Sequence, residues 1–204
     1  MIKLLGINGS PRKDGNTQFL LNEVLKSGVQ LGAEAELIHL VELELKPCTD
    51  CKSCYKTKFC VIKDDLGKIF EKMKESDGII IGSPSYNWNV TAQTKMFIDR
   101  MGLLIPVRGR VDFANKVGGA IAVGGRSGMM HCLSQIILFQ MSGRMIPIPP
   151  FILSISYDKG ESAKDPRAIN ESKELGKRMV QVAEATASLR KIPPEIIKTP
   201  RYGW

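Results

Sequence analysis

No apolar run in the chain approaches the roughly 18 residues that a membrane span needs; Gly, Pro or charge interrupts its longest candidates. The first apolar segment, Met1 to Ile7, is too short for a signal peptide. Histidine is scarce, with His39 and His131 alone, and no Ser-His-Asp arrangement or metal-binding His pair can be drawn from the sequence. Cysteine is also scarce, and its odd count of five argues against the disulfide framework of a secreted protein. These absences place a soluble chain in the cytoplasm. Neither a Walker loop nor the Gly-x-Gly-x-x-Gly dinucleotide fingerprint is present. The net charge of +8 admits nucleic acid, an acidic protein or a phosphate-bearing cofactor as partner. No helix carries Arg and Lys on one face with interleaved aromatics, so nucleic acid is not the expected one.

The 204 residues, 43% of them hydrophobic, suffice for one core. Short apolar runs alternate with helical periodicity. Lys3 to Ile7 reads as a buried strand, followed by a helix from Asn16-Thr17, which offer cap chemistry, through Leu20, Leu21, Val24, Leu25 and Leu31. Glu36 to Leu40 is a second strand. Asp64-Asp65 caps a helix with Leu66, Ile69, Phe70 and Met73 on one face. Asp77 to Gly82 is a third strand, and a helix from about Val90 to Leu104 turns Met96, Phe97, Met101 and Leu104 inward. Lys116 to Val123 is a fourth strand, before an apolar helix from Met129 to Ser142. A proline-disturbed fifth strand begins at Met145 and resumes at Phe151 to Ser156. Asp165-Pro166 opens the last helix, with Leu175, Met179, Val182 and Ala183 buried. Apolar strands alternating with helices imply an α/β domain, 1–192, whose parallel sheet is covered on both faces. A Pro-rich tail, 193–204, leaves it.

Four of the five cysteines, Cys48, Cys51, Cys54 and Cys60, lie within thirteen residues, on a connection at about 46–63 that reads as an insertion. The run can fold round one centre and reads as a cluster or metal site. Thiolates suit an iron-sulfur cluster, and four of them also suit a structural zinc, although zinc sites usually take two pairs from separated turns. Lys46, Lys52, Lys56, Lys58 and Lys63 surround the run. They would offset a cluster's negative charge or dock an acidic donor, or simply face solvent. Cys132 reads as a small buried residue.

In doubly wound sheets, ligands bind beyond the carboxyl ends of the strands, and three loops are expected there. Gly9-Ser10-Pro11-Arg12-Lys13-Asp14-Gly15-Asn16-Thr17 suits a monophosphate at a helix start, and equally a Gly-Pro turn with a helix cap. Pro84-Ser85-Tyr86-Asn87-Trp88-Asn89 could stack and read a planar ring. Gly124-Gly125-Arg126-Ser127-Gly128 offers N–H groups and a cation to a polar ring edge.

Gly9 to Arg12 with Gly15-Asn16-Thr17, Pro84 to Trp88 followed by Thr91 to Arg100, and Gly124-Gly125-Arg126 resemble the NAD(P)H-dependent FMN reductase group of flavodoxin-like proteins. With the cysteine run added, the chain is similar to the iron-sulfur flavoproteins, in which such a run binds a [4Fe–4S] cluster beside FMN. The resemblance implies a flavodoxin-like three-layer sandwich with a five-stranded parallel sheet of order 2-1-3-4-5, and homodimers pairing into tetramers. It implies that Ser10, Arg12, Asn16 and Thr17 hold the FMN phosphate and that Pro84, Tyr86, Asn87 and Trp88 line the ribityl chain and ring. Gly124, Gly125 and Arg126 would meet the ring's polar edge, and Cys48, Cys51, Cys54 and Cys60 would ligate the cluster. Chemistry would reside on the flavin, with no catalytic side chain. Ferredoxin or NAD(P)H is the implied donor, and O2, peroxide, a quinone or a similar small molecule the acceptor. The Asn87-Trp88-Asn89 turn departs from the smaller turn of many relatives.

Overall fold

The computed structural model describes residues 1–191, so the tail expected at 193–204 lies outside the described residues. In chain order the elements are β1 (Lys3–Asn8), α1 (Asn16–Val29), β2 (Glu34–His39), α2 (Ser53–Thr57), α3 (Leu66–Glu75), β3 (Gly78–Pro84), α4 (Ala92–Val107), β4 (Val117–Gly124), α5 (Met129–Ser142), β5 (Ile146–Pro147), β6 (Ile152–Ile155) and α6 (Pro166–Ala185). The strands pair in parallel in the order β2-β1-β3-β4-β5, and β6 also pairs with β4. This is the expected flavodoxin-like arrangement. The fifth position is shared: β5 lies against Val117 and Gly118, and β6 against Ile121 to Gly124. Pro149 and Pro150 between them have no N–H to give the ladder.

The sheet is two-sided because alternate residues of a strand face opposite ways. Leu4, Ile80 and Ile121 pack with Leu20, Leu21 and Val24 of α1 and with Leu175, Met179 and Ala183 of α6. Leu5, Ile79, Ile81 and Ala120 pack on the other side, with Phe70 and Met73 of α3, Phe97 and Met101 of α4, and Ile136 and Phe139 of α5. Helices α1 and α6 meet so closely that a Cβ at Gly176 would lie 2.1 Å from the Val24 carbonyl oxygen. A glycine is required at that crossing.

Several local expectations need correction. The residue capping α1 is Gly15, with no side-chain cap bond, rather than Asn16 or Thr17. Leu31 lies beyond the end of α1 and is exposed. Helix α4 starts two residues later than Val90, because the Thr91 hydroxyl accepts the Thr94 N–H and Val90 has no oxygen to offer. Met96 and Val182 are half-buried, and the buried stripe of α4 contains Thr94 and Arg100 beside Phe97, Met101 and Leu104. Apolar periodicity cannot register such polar members of a buried face. Among the described residues, no helix is long and apolar enough to cross a membrane.

Candidate functional site

The strand ends surround a cleft of about 550 Å³, counted to its open mouth, lined by Ser10, Arg12, Gly15, Asn16, Thr17, Pro84, Ser85, Tyr86, Val123, Gly124, Gly125, Ser156 and Tyr157. The cleft's floor is the start of α1. No side chain caps that end, so first-turn N–H groups and the helix dipole remain available to an anion. The Ser10 N–H donates to Asn8 Oδ1 at 3.0 Å, and the Ser10 hydroxyl accepts the Arg12 N–H at 3.1 Å. The loop is thus wound before any ligand arrives.

Buried hydroxyls fix this loop to its neighbours. The Thr91 hydroxyl donates to the Gly9 carbonyl at 2.6 Å and lies 2.8 Å from the Thr94 hydroxyl, while the Thr91 N–H donates to Ser83 Oγ at 3.2 Å. A Cβ on Gly9 would stand 1.9 Å from Thr94 Oγ1, so the close approach of loop and helix needs a glycine. One cap residue therefore registers the end of β1, the end of β3 and the start of α4.

The cysteines form a second site. Cys48, Cys51, Cys54 and Cys60 all line one cavity, shared with Arg100, Leu103 and Leu104 of α4. Its loop is tightly wound, with Asp50, Lys52 and Lys58 at positive φ on either side of α2. It lies against α4. Arg108 donates to Asp112 at 2.8 Å, and its guanidinium stands 4.8 Å from the ring centroids of both Phe59 and Phe70. Asp64, its side chain fully buried, accepts the Lys46 N–H at 2.9 Å and the Leu66 N–H at 3.2 Å, and pairs with Arg100. Burial opposes the Asp64 charge, but Arg100 and those two N–H groups outweigh it and hold the carboxyl below its usual range. Both ends of the cysteine loop are thereby fastened to α4.

The thiols are not equivalent. The Ser53 N–H and hydroxyl pull the Cys51 thiol down, whereas burial, followed by the charges of Cys60, Cys51 and Cys48, pushes Cys54 up. Among the described residues, no three His, Cys, Asp or Glu side chains converge on a single-ion position. The four thiols line one cavity, and the buried Nε of Arg100 on its wall has no hydrogen-bond partner. Four soft donors and an unspent N–H fit a sulfide-containing cluster.

Of the eleven residues expected around the cofactor, the cleft brings together Ser10, Arg12, Asn16, Thr17, Pro84, Tyr86, Gly124 and Gly125. Asn87, Trp88 and Arg126 are exposed and outside its lining. The Asn16 side chain donates to the Asp158 carbonyl at 2.8 Å and accepts the Gly160 N–H at 2.9 Å and the Ser162 N–H at 3.3 Å. What Asn16 offers the cleft is its helix-start backbone. The sequence reading missed Ser156 and Tyr157, which form a fourth strand-end wall after β6. Arg12 donates to the Tyr157 carbonyl at 3.3 Å. The position after a fifth strand was the available signal, obscured by the prolines that blur that strand. Cys132 is buried on α5 as expected, its thiol pushed up to about 11 by burial. His39 Nδ1 accepts from Asn8 Nδ2 at 3.0 Å, and His131 is exposed.

Residues 2–160 match the family model of NADPH-dependent FMN reductases. An iron-sulfur flavoprotein of Methanocaldococcus jannaschii is 38% identical over 192 residues, covering 90% of this chain and 98% of that one. An iron-sulfur flavoprotein of Archaeoglobus fulgidus is 38% identical over 203 residues, covering 93% and 99%. Among solved structures, RosB superposes with a TM-score of 0.75 at 17% identity over 96% of this chain and 84% of that one. A flavodoxin from the Archaea gives 0.62 at 16% over 90% and 99%, and both attest the fold. On the family match and the near full-length likeness to these two archaeal proteins, the chain belongs to the NADPH-dependent FMN reductase family, among its iron-sulfur flavoproteins, and is a flavin-dependent oxidoreductase.

Proposed function

We propose that this protein is a cytoplasmic redox enzyme that passes electrons between a [4Fe–4S] cluster held by Cys48, Cys51, Cys54 and Cys60 and an FMN held in the cleft, and so reduces a small acceptor such as O2, peroxide or a quinone. The observation that carries the reading is the convergence of all four thiols on one cavity, beside a helix whose other end builds the cleft. The cluster supplies one-electron chemistry and the flavin joins one- and two-electron chemistry. The chain's own residues bind, orient and enclose.

In the cleft, the first-turn N–H groups of α1, Ser10, Thr17 and Arg12 hold the phosphate, and Asn16 keeps the 158–162 loop in place behind it. Pro84, Tyr86 and Tyr157 flank the ribityl chain and ring, Gly124 and Gly125 admit its polar edge, and Asn87, Trp88 and Arg126 stand at the mouth. Lys46, Lys52, Lys56, Lys58 and Lys63 are all exposed around the thiols, a basic rim suited to an acidic ferredoxin as donor. Met130, Leu138 and Met141 lie exposed along α5, which suits burial in a homodimer or homotetramer. The domain comprises 1–192, with the cysteine loop at 46–63 and the tail at 193–204.

The test is iron, sulfide and zinc analysis of anaerobically purified protein beside its absorbance spectrum, compared with Cys54→Ala. Stoichiometric iron and sulfide with FMN, and loss of iron but not FMN in the variant, support the reading. A flavin spectrum without iron or sulfide, bleached rapidly by NAD(P)H, would replace it with a cluster-free FMN or quinone reductase, a reading that the family's NADPH-dependent members favour.

A further inference from the structure

Arg100 occupies an unusual position. It is on the inward stripe of α4, its side chain 1% exposed, and it is the one cation that touches a cysteine of the run among the bonds described. Its Nη2 donates to Cys60 Sγ at 3.1 Å and to Asp64 Oδ1 at 3.1 Å, and its Nη1 donates to the Lys46 carbonyl at 3.0 Å and to Asp64 Oδ2. Its Nε is buried without a partner. Native proteins leave few buried donors unsatisfied. This one belongs to a side chain in the wall of the cavity that the four thiols share. Arg108, two turns further on, is spent on Asp112, the Lys58 carbonyl and two aromatic rings.

We infer that Arg100 is a tuning residue for the cluster: it donates charge-assisted hydrogen bonds to the Cys60 thiolate through Nη2 and to a neighbouring sulfide through Nε, and thereby raises the cluster's reduction potential. The inference rests on the cluster assignment above. Reduction adds one negative charge to a thiolate-bound cluster, and hydrogen bonds to its sulfurs stabilise that added charge. A guanidinium suits this place better than an ammonium. Its planar fork serves Asp64, a carbonyl and a sulfur together, and it keeps its proton when buried.

The competing account makes Arg100 and Asp64 a clasp that closes the loop between Lys46 and Asp64 and does nothing else. The two accounts separate on sign. Arg100→Gln removes a positive charge and both sulfur donors, so the cluster midpoint should move negative, by roughly a tenfold fall in the one-electron reduction constant, which is about 59 mV. Asp64→Asn breaks the same ion pair but removes a negative charge, so the midpoint should move positive. Arg100→Lys keeps the charge without the fork and should fall between wild type and Arg100→Gln.

The measurement is an anaerobic potentiometric titration of wild type and the three variants, followed by electron paramagnetic resonance, with iron and sulfide assayed in each. Opposite shifts in Arg100→Gln and Asp64→Asn support the inference. If Arg100→Gln cannot retain iron, the ordering of Arg100→Lys below wild type and Asp64→Asn above it does so. Unchanged midpoints, shifts of the same sign, or loss of iron from all three variants would overturn it and leave a clasp. Absence of iron and sulfide from wild type would overturn it together with the cluster assignment.

Discussion

Lys116 precedes β4 and donates from Nζ to the Lys74 carbonyl at 2.7 Å and to the Ser76 carbonyl, at the end of α3. Helix carbonyls favour a cation there, yet burial pushes the ammonium down to about 8, against the pull of Asp77, from an ordinary value of 10.5. Between those values the unfolded chain binds the proton more tightly than the folded one. Stability therefore rises with pH across that window, and below it the charged amine opposes folding in full. Urea unfolding at about pH 7.5 and about pH 9.5 should show wild type gaining about 2 kcal/mol relative to Lys116→Met. A flat difference would mean that the two carbonyls fully replace the ammonium's hydration.

At the scale of an element, the turn after β3 carries its own strain. Tyr86 and Asn89 exchange backbone hydrogen bonds at 2.8 and 3.2 Å, and Asn87 and Trp88 between them have φ of 45° and 69°. Both central residues of this two-residue turn are left-handed, as in a type I′ turn, whose second place usually falls to glycine. Trp88 is 61% exposed, so packing offsets little of a left-handed cost of about 1–2 kcal/mol. Trp88→Gly should raise the melting temperature by about 2–4 °C, measured by thermal unfolding of the flavin-loaded protein. A lower melting temperature would show that the indole's packing outweighs the strain.

Across the whole molecule, α4 is the shared part. Thr91 at its start bonds the Gly9 loop of the cleft, and Arg100, about 13 Å further along at 1.5 Å per residue, bonds Cys60. The cleft is built chiefly on β3 and β4, which are almost wholly buried, whereas the cysteine loop adds only partly buried side chains such as Cys54 and Cys60 to the core. Stripping iron should therefore release the loop without unfolding the sheet. Trypsin should then cut first at Lys52, Lys56 or Lys58, with far-UV circular dichroism and bound FMN little changed. Loss of FMN in step with iron would show that cleft and loop fold as one unit.

The sequence by itself determined the alternation of elements, because buried parallel strands are written as near-continuous apolar runs and helices as 3.6-residue stripes. It also determined the thiol set, since four cysteines so close in the chain need no distant partner to meet. Three of the cleft's loops were legible for a related reason: each follows a recognisable strand. Tertiary structure alone decided the rest. Asn16 reads as a ligand until the 158–162 loop, remote in sequence, takes its amide. Tyr157 joins the cleft only because β6 pairs with β4 beyond the prolines. Arg100 reads as one charge among many until α4 packs on the sheet and turns it inward. The cysteine run thus depends for its electrostatic surroundings on a residue forty positions away from Cys60, because charge is felt through space and space is assigned by packing.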